Sequence, residues 1–252
     1  MTFRELYDAL DARFPKSLSC EWDNDGIMCA DNMNAPAKKV LISLDITDET
    51  VKYAVKKGFD TIISHHPLVF KAQKSLCEVN FVQKKLITLI KSDVRVMSFH
   101  TRLDAGAGGV NDTLANELGF VSVGNDPSDP IGRVCELGEE IPLSIFAKKV
   151  KKVIDAPFVK FVGSNPVKKV YVVGGDGKDS VANAIECGAD TLLTGDTSYN
   201  TMLDASEMGL NIIEGGHYYT EYLVCETIEN LIKIFDDKIK TEIFNSNKIE
   251  II

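Results

Sequence analysis

An internal repeat constrains this chain more than any other feature: displaced by 130 residues, the sequence aligns with itself without a gap. Lys39-Val40-Leu41-Ile42-Ser43 meets Lys169-Val170-Tyr171-Val172-Val173, and Asp60-Thr61-Ile62-Ile63-Ser64 meets Asp190-Thr191-Leu192-Leu193-Thr194. Between these blocks Thr50-Val51 falls on Ser180-Val181, Ala54 on Ala184, and Gly58 on Gly188. Each copy reads as an apolar strand, a helix, a glycine at the helix C-terminus and a second apolar strand. Strands alternating with helices of this length imply βαβ units and a largely parallel sheet. Both copies continue alike. A helix over residues 79–91, a strand over 94–99 and His100 follow in the first; a helix over 199–208, a strand over 210–213 and His217 follow in the second. Gly124, Asn125, Asp126, Pro127, Asp129 and Pro130 break regular structure between the copies. The expected fold is α/β, with two related lobes from an internal duplication, residues 1–125 and 126–252.

The copies differ where ligands would bind. His65-His66 in the first corresponds to Gly195-Asp196 in the second, and in parallel α/β sheets ligands bind at the carboxyl ends of strands. The chain has four histidines, all within three short motifs that also hold carboxylates: Ser64-His65-His66-Pro67, His100-Thr101-Arg102-Leu103-Asp104, and Gly216-His217-Tyr218-Tyr219-Thr220-Glu221. Imidazole with carboxylate is the usual ligand set for divalent Zn, Fe, Mn or Ni. Successive side chains on a strand alternate faces, so adjacent histidines cannot both enter a core; Pro67 ends the strand and lets both rings serve one site. His217 and Glu221 are spaced to share one face of a helix. The expectation is a metal site in a cleft between the lobes, with His65, His66, Asp104, His217 and Glu221 as ligands. Five groups exceed what an open mononuclear zinc site needs and suit two divalent ions per chain, with water in the remaining positions. His100 is expected to orient a ligand rather than bind metal, and Asp196 to stand close behind the site.

Other features are weaker. Trp22-Asp23-Asn24-Asp25-Gly26 reads as a tight turn, with Trp22 or Asn24 lining the substrate cleft as the alternative. The glycines from Gly106 to Gly109 lack the Lys-Ser/Thr of a phosphate-binding loop. Lys71 and Lys74, just after the His-His-Pro turn, are placed to meet an anionic substrate. With 37 acidic against 28 basic residues the net charge is −9, which argues against nucleic acid as a partner because that binding rests on cations meeting phosphates. Six cysteines without a Cys-x-x-Cys pair, no signal-peptide pattern and no membrane-length apolar run point to the reducing cytoplasm. Thr2 and Glu5 have capping-box spacing at the start of a first helix.

The three histidine motifs, with Trp22-Asp23-Asn24 and Thr194-Gly195-Asp196, resemble in order those of the Nif-three-like family, whose members are often described as dinuclear metal centre proteins or GTP cyclohydrolase type 2 homologues. The resemblance spans nearly the whole chain. It implies a two-lobed α/β fold with a dinuclear site between the lobes, assembly into a homohexamer, and metal ligands at the same five residues. It also implies hydrolysis of a small-molecule substrate, a nucleotide such as GTP, by a metal-bound water. The alternative is a non-catalytic metal-binding protein that regulates or delivers metal. Asn200 stands where many members carry histidine, and the chain is too short for the domain that longer members insert between the lobes.

Overall fold

Two sheets organise the chain in the computed structural model, which describes residues 1–252. The first unit comprises residues 1–103 and 225–250, the second residues 104–224 with 251–252. In chain order the first unit runs α1 (Phe3–Arg13), β1 (Gly26–Cys29), β2 (Lys39–Ser43), α2 (Asp48–Lys57), β3 (Thr61–Ser64), α3 (Phe81–Lys91) and β4 (Arg95–Ser98), and α4 (Thr101–Ala105) leads out of it. The second unit holds α5 (Val110–Glu117), β5 (Ser122–Asn125), β6 (Arg133–Ile141), α6 (Leu143–Val153), β7 (Lys160–Val162), β8 (Val167–Asp176), α7 (Val181–Glu186), β9 (Thr191–Asp196), α8 (Tyr199–Glu207), β10 (Asn211–Glu214) and α9 (His217–Glu221). The chain then returns to the first unit through α10 (Val224–Phe235) and β11 (Lys240–Ile243).

The first sheet has the order β1-β4-β3-β2-β11, with β11, β2, β3 and β4 parallel and β1 antiparallel on one edge. The second has the order β5-β6-β8-β9-β10-β7, in which only β8, β9 and β10 run parallel. The expected boundary at residue 125 therefore falls at the end of β5, inside the second unit. The Gly/Pro-rich segment after β5 is an antiparallel connection to β6 and not a linker. Residues 225–250 lie with the first unit because β11 needs the free edge of β2 to satisfy its backbone groups.

The duplication survives in hydrogen bonds as well as in sequence. Asp60 Oδ2 accepts from the backbone N–H groups of Lys38 and Lys39 at 2.9 and 3.0 Å, and Asp190 Oδ2 accepts from those of Lys168 and Lys169 at 2.9 and 2.7 Å. Gly58 and Gly188 end their helices at φ +70° and +68°, a left-handed turn that a β-carbon disfavours. Thr47 and Ser198 cap the N-termini of α2 and α8, and Thr2 with Glu5 forms the expected capping box on α1. In the first unit Leu41, Ile62 and Val96 pack beneath Val51, Ala54 and Leu89 of the covering helices. In the second, Val172, Leu193 and Ile213 face Phe146 and Val150, while Tyr171, Leu192 and Ile212 face Ala184 and Ala205. That sheet is covered on both faces, which is why its parallel strands are nearly continuous apolar runs. No helix is long and apolar enough to cross a membrane.

Candidate metal centre

In the first unit three histidines gather at the carboxyl ends of the parallel strands. His65 and His66 leave β3 directly, their N–H groups bonded to the carbonyls of Ser43, which ends β2, and Leu44, which follows it. His100 leaves β4 after Phe99. The ring centroids of His65 and His66 lie 4.9 Å apart, and that of His100 lies 5.2 and 5.5 Å from them. One ring nitrogen from each falls within 4.8 Å of the others. His65 is fully buried, His66 and His100 partly so.

The opposite nitrogens explain the arrangement. Nδ1 of His65 lies 2.9 Å from the Phe99 carbonyl, Nδ1 of His66 2.8 Å from Asp45 Oδ1, and Nδ1 of His100 2.9 Å from Asp23 Oδ1. A carbonyl or carboxylate can only accept, so in the neutral ring the proton sits on Nδ1 and the lone pair on Nε2. Outer acceptors of this kind fix ring orientation and raise ligand basicity in metal sites. Burial works to raise the Asp23 carboxyl, but the hydrogen bonds from His100 and Thr101 outweigh it and hold the group well below the usual carboxylate range. Asp23 thus stays ionised behind His100. His100, expected from sequence to orient a ligand, stands beside His65 and His66 with Asp23 behind it. Trp22, 63% exposed, meets the edges of Phe70 and His100, and Asn24 donates to the Val69 carbonyl.

In the second unit the donors are mixed. The short α9 carries His217 and Glu221 one turn apart, with Nε2 and Oε2 separated by 3.2 Å. A carboxylate oxygen of Asp104 lies within 4.8 Å of one from Glu221, and both residues are buried. His217 Nδ1 lies 2.9 Å from Asp196 Oδ2, so the fourth histidine repeats the pattern of the other three.

Packing explains why the second copy holds no histidine pair. Gly195, the counterpart of His65, has no room for a side chain: a β-carbon there would come within 2.8 Å of His217 Cα and 2.6 Å of Thr220 Oγ1. Gly175, the counterpart of Asp45, sits at φ +67°, and a β-carbon on it would come within 2.1 Å of Glu221 Oε1. Both positions are reduced to glycine where α9 packs against β8 and β9. Asp196, the counterpart of His66, keeps a polar role by facing His217. It does not cap α8, whose N-cap is Ser198. Asp196→Ala is expected to lower affinity for a divalent ion about 10- to 100-fold with little change in thermal stability, read by competition against a chromophoric chelator. Unchanged affinity with a lowered melting temperature would show Asp196 to be only a local brace.

Asp23, Asp45 and Gly175 carry weight that motif reading does not assign. The signal for Asp45 and Gly175 is present in the repeat, where one copy's carboxylate aligns with the other's glycine. Asp23 has no such signal, because its partner lies 77 residues away.

Residues 1–250 match the family model described as Duf34/NIF3 (NGG1p interacting factor 3). A Clostridium perfringens protein named GTP cyclohydrolase 1 type 2 homolog is 33% identical over 241 residues, covering 92% of each chain. A Streptococcus pneumoniae protein of the same name is 31% identical over 242 residues, covering 92% of this chain and 90% of its own. Among solved structures, a Staphylococcus aureus protein matches with a TM-score of 0.90 at 28% identity, over 100% of this chain and 99% of its own. Reduced HcgD from Methanocaldococcus jannaschii matches with a TM-score of 0.85, also at 28% identity, over 96% and 97% of the two chains.

Proposed function

Because the chain belongs to the Duf34/NIF3 family, we propose that it is a metal-dependent hydrolase holding two divalent ions through His65, His66, Asp104, His217 and Glu221. The observation that carries this reading is the common state of the four histidines: each has Nδ1 against a carbonyl or carboxylate oxygen, the orientation in which ligand histidines are held in metal sites. Nitrogen donors with buried carboxylates fit Zn, Fe, Mn or Ni, and supply decides among them. Such ions, when bound, acidify a water to near neutrality and polarise an electrophile.

The protein's own groups do the rest. Asp45, Asp23 and Asp196 hold the rings of His66, His100 and His217 in place. Asp104 and Glu221 offer two oxygens each, enough to be shared between ions. His100 stands beside His65 and His66 with its ring held by Asp23. The substrate we favour is a nucleotide such as GTP, on the printed names of the curated relatives, and the reaction is hydrolytic opening of the guanine imidazole ring at C8. Metal-loaded protein screened against nucleotides and simple phosphoesters is expected to release a ring-opened product from GTP, and Asp104→Ala to abolish it. Full metal content without turnover of any of these would favour a regulatory or metal-delivery role instead.

We further take the working form to be a cytoplasmic homohexamer. Chains of charge −9 repel at random, so stable assembly needs a specific closed interface. Light scattering is expected to give about six times the 27.7 kDa chain mass; a mass of one chain across a wide concentration range would overturn the hexamer.

A further inference from the structure

A cavity of about 680 Å³ opens beside His66 in the first unit, and the metal chemistry makes no use of it. Its walls come from the loop after β2, the turn after His66 and the first turns of α3. Ile46, Leu68, Phe70 and Phe81 make most of the surface apolar, and His66 stands at one side. The volume is that of an ordinary small-molecule site. Two of the aromatic walls are unusually open: Phe81 is 70% exposed and Phe70 46%. An aromatic ring left in water at a concave apolar site is a surface that a flat ligand would cover.

Lys85 supplies the polar feature. It lies on the inner side of α3 with only 9% of its surface exposed. Its ammonium donates to the Ile46 carbonyl at 2.6 Å and lies 5.2 Å from the centre of the Phe81 ring. An ammonium has three protons to donate, so this bond leaves capacity for a ligand. Leucine at this helix position would bury without the cost of desolvating a charge, so packing alone does not explain the lysine. Burial lowers the Lys85 pKa, and the carboxylates of Asp48 and Asp45 act against that. An arriving anion therefore meets a cation that water solvates poorly, where a charge-assisted bond is strongest. Asp45 and Asp48 also limit how much negative charge can enter.

We propose that this cavity is a ligand site separate from the one that takes the nucleotide, and that it takes a planar aromatic or heteroaromatic molecule carrying one carboxylate-like anionic group. The ring lies against Phe70 and Phe81, the anion pairs with Lys85, and the far end of the molecule reaches His66. This goes beyond the nucleotide reading and rests on the metal-centre reading for the role of His66 alone. Lys71, which also lines the cavity, is exposed and adds at most weak, salt-screened attraction.

The test is a calorimetric titration of the full chain with naphthalene carboxylate and with uncharged naphthalene methanol, each in chelator-treated and in zinc-loaded protein. The carboxylate is expected to bind the wild type at least about tenfold more tightly than the alcohol, in both forms. Lys85→Met is expected to erase that difference. Phe81→Ala, at an exposed position that leaves folding intact, is expected to weaken both probes several-fold. Equal binding of the two probes by the wild type, or an unchanged difference in Lys85→Met protein that retains its circular dichroism, would overturn the proposal. So would GTP displacing the carboxylate at equal or lower concentration, because the cavity would then be the nucleotide's own site. Binding by chelator-treated protein is independent of the ions. A failed metal centre with intact probe binding, and a failed pocket with intact metal content, are therefore separate results.

Discussion

Glu221→Ala and Asp104→Ala are each expected to cut bound metal sharply from about two ions per chain, with affinity falling by at least about 100-fold. The two residues are buried, and their candidate ligand oxygens lie within 4.8 Å of one another. Like charges this close, shielded from water, repel strongly. A divalent cation turns that repulsion into attraction. Asp104→Ala therefore carries a second expected result of opposite sign: the metal-free variant melts at or above the temperature of the metal-free wild type, while the metal-loaded variant melts below the loaded wild type; Glu221→Ala also removes the contact with His217. Elemental analysis after gel filtration reads the first effect and calorimetry the second. One ion per wild-type chain, or undiminished content in both variants, would overturn the dinuclear assignment.

Arg102→Met is expected to destabilise the first unit by about 3–5 kcal/mol, the range for removing one partner of a buried ion pair. Arg102 is fully buried, stacks over the Phe99 ring at 4.4 Å, and donates to Asp25, Asp11 and the Phe14 carbonyl. Asp25 has no exposed side-chain surface and also accepts from the N–H of His100 at 3.2 Å. Losing the guanidinium would leave this carboxylate short of positive charge directly under the histidine cluster. Arg102→Lys is expected to recover only part of the loss, because a single ammonium cannot span acceptors set out for a planar fork. Urea unfolding monitored at the single tryptophan, Trp22, measures it. A change below about 1 kcal/mol would show that the network contributes no more than a surface pair.

Local pattern made the βαβ units and the His/carboxylate motifs readable in advance. β2 with β8 and β3 with β9 could be paired by eye because each is an unbroken apolar run ending in a turn signal. The spacing of His217 and Glu221 specifies one helical turn wherever α9 sits. What escaped depends on contacts distant in sequence. Nothing near residues 240–243 announces that they join β2, since a short half-buried strand such as Lys240–Ile243 shows no strong periodicity. Residues 122–125 and 133–141 gave no sign that they extend the second sheet in the antiparallel sense. Asp23 and Asp25 looked like a turn and form one locally, yet their carboxylates serve His100, Thr101 and Arg102. A side chain's partner is a tertiary fact, and composition at the position does not encode it.

The return of residues 225–250 to the first unit has a consequence for synthesis. A ribosome finishes residues 104–224, with every strand of the second sheet, before β11 exists. Until then β2 stands at an open edge, and Asp45 lacks the Ser246 hydroxyl it meets across 201 positions of sequence. The half made first is thus the half completed last, against the usual order in which early segments settle before later ones emerge. A nascent chain that pauses after residue 224 would carry a finished second half tethered to an unpaired strand edge, the surface most apt to recruit a strand from a neighbouring polypeptide.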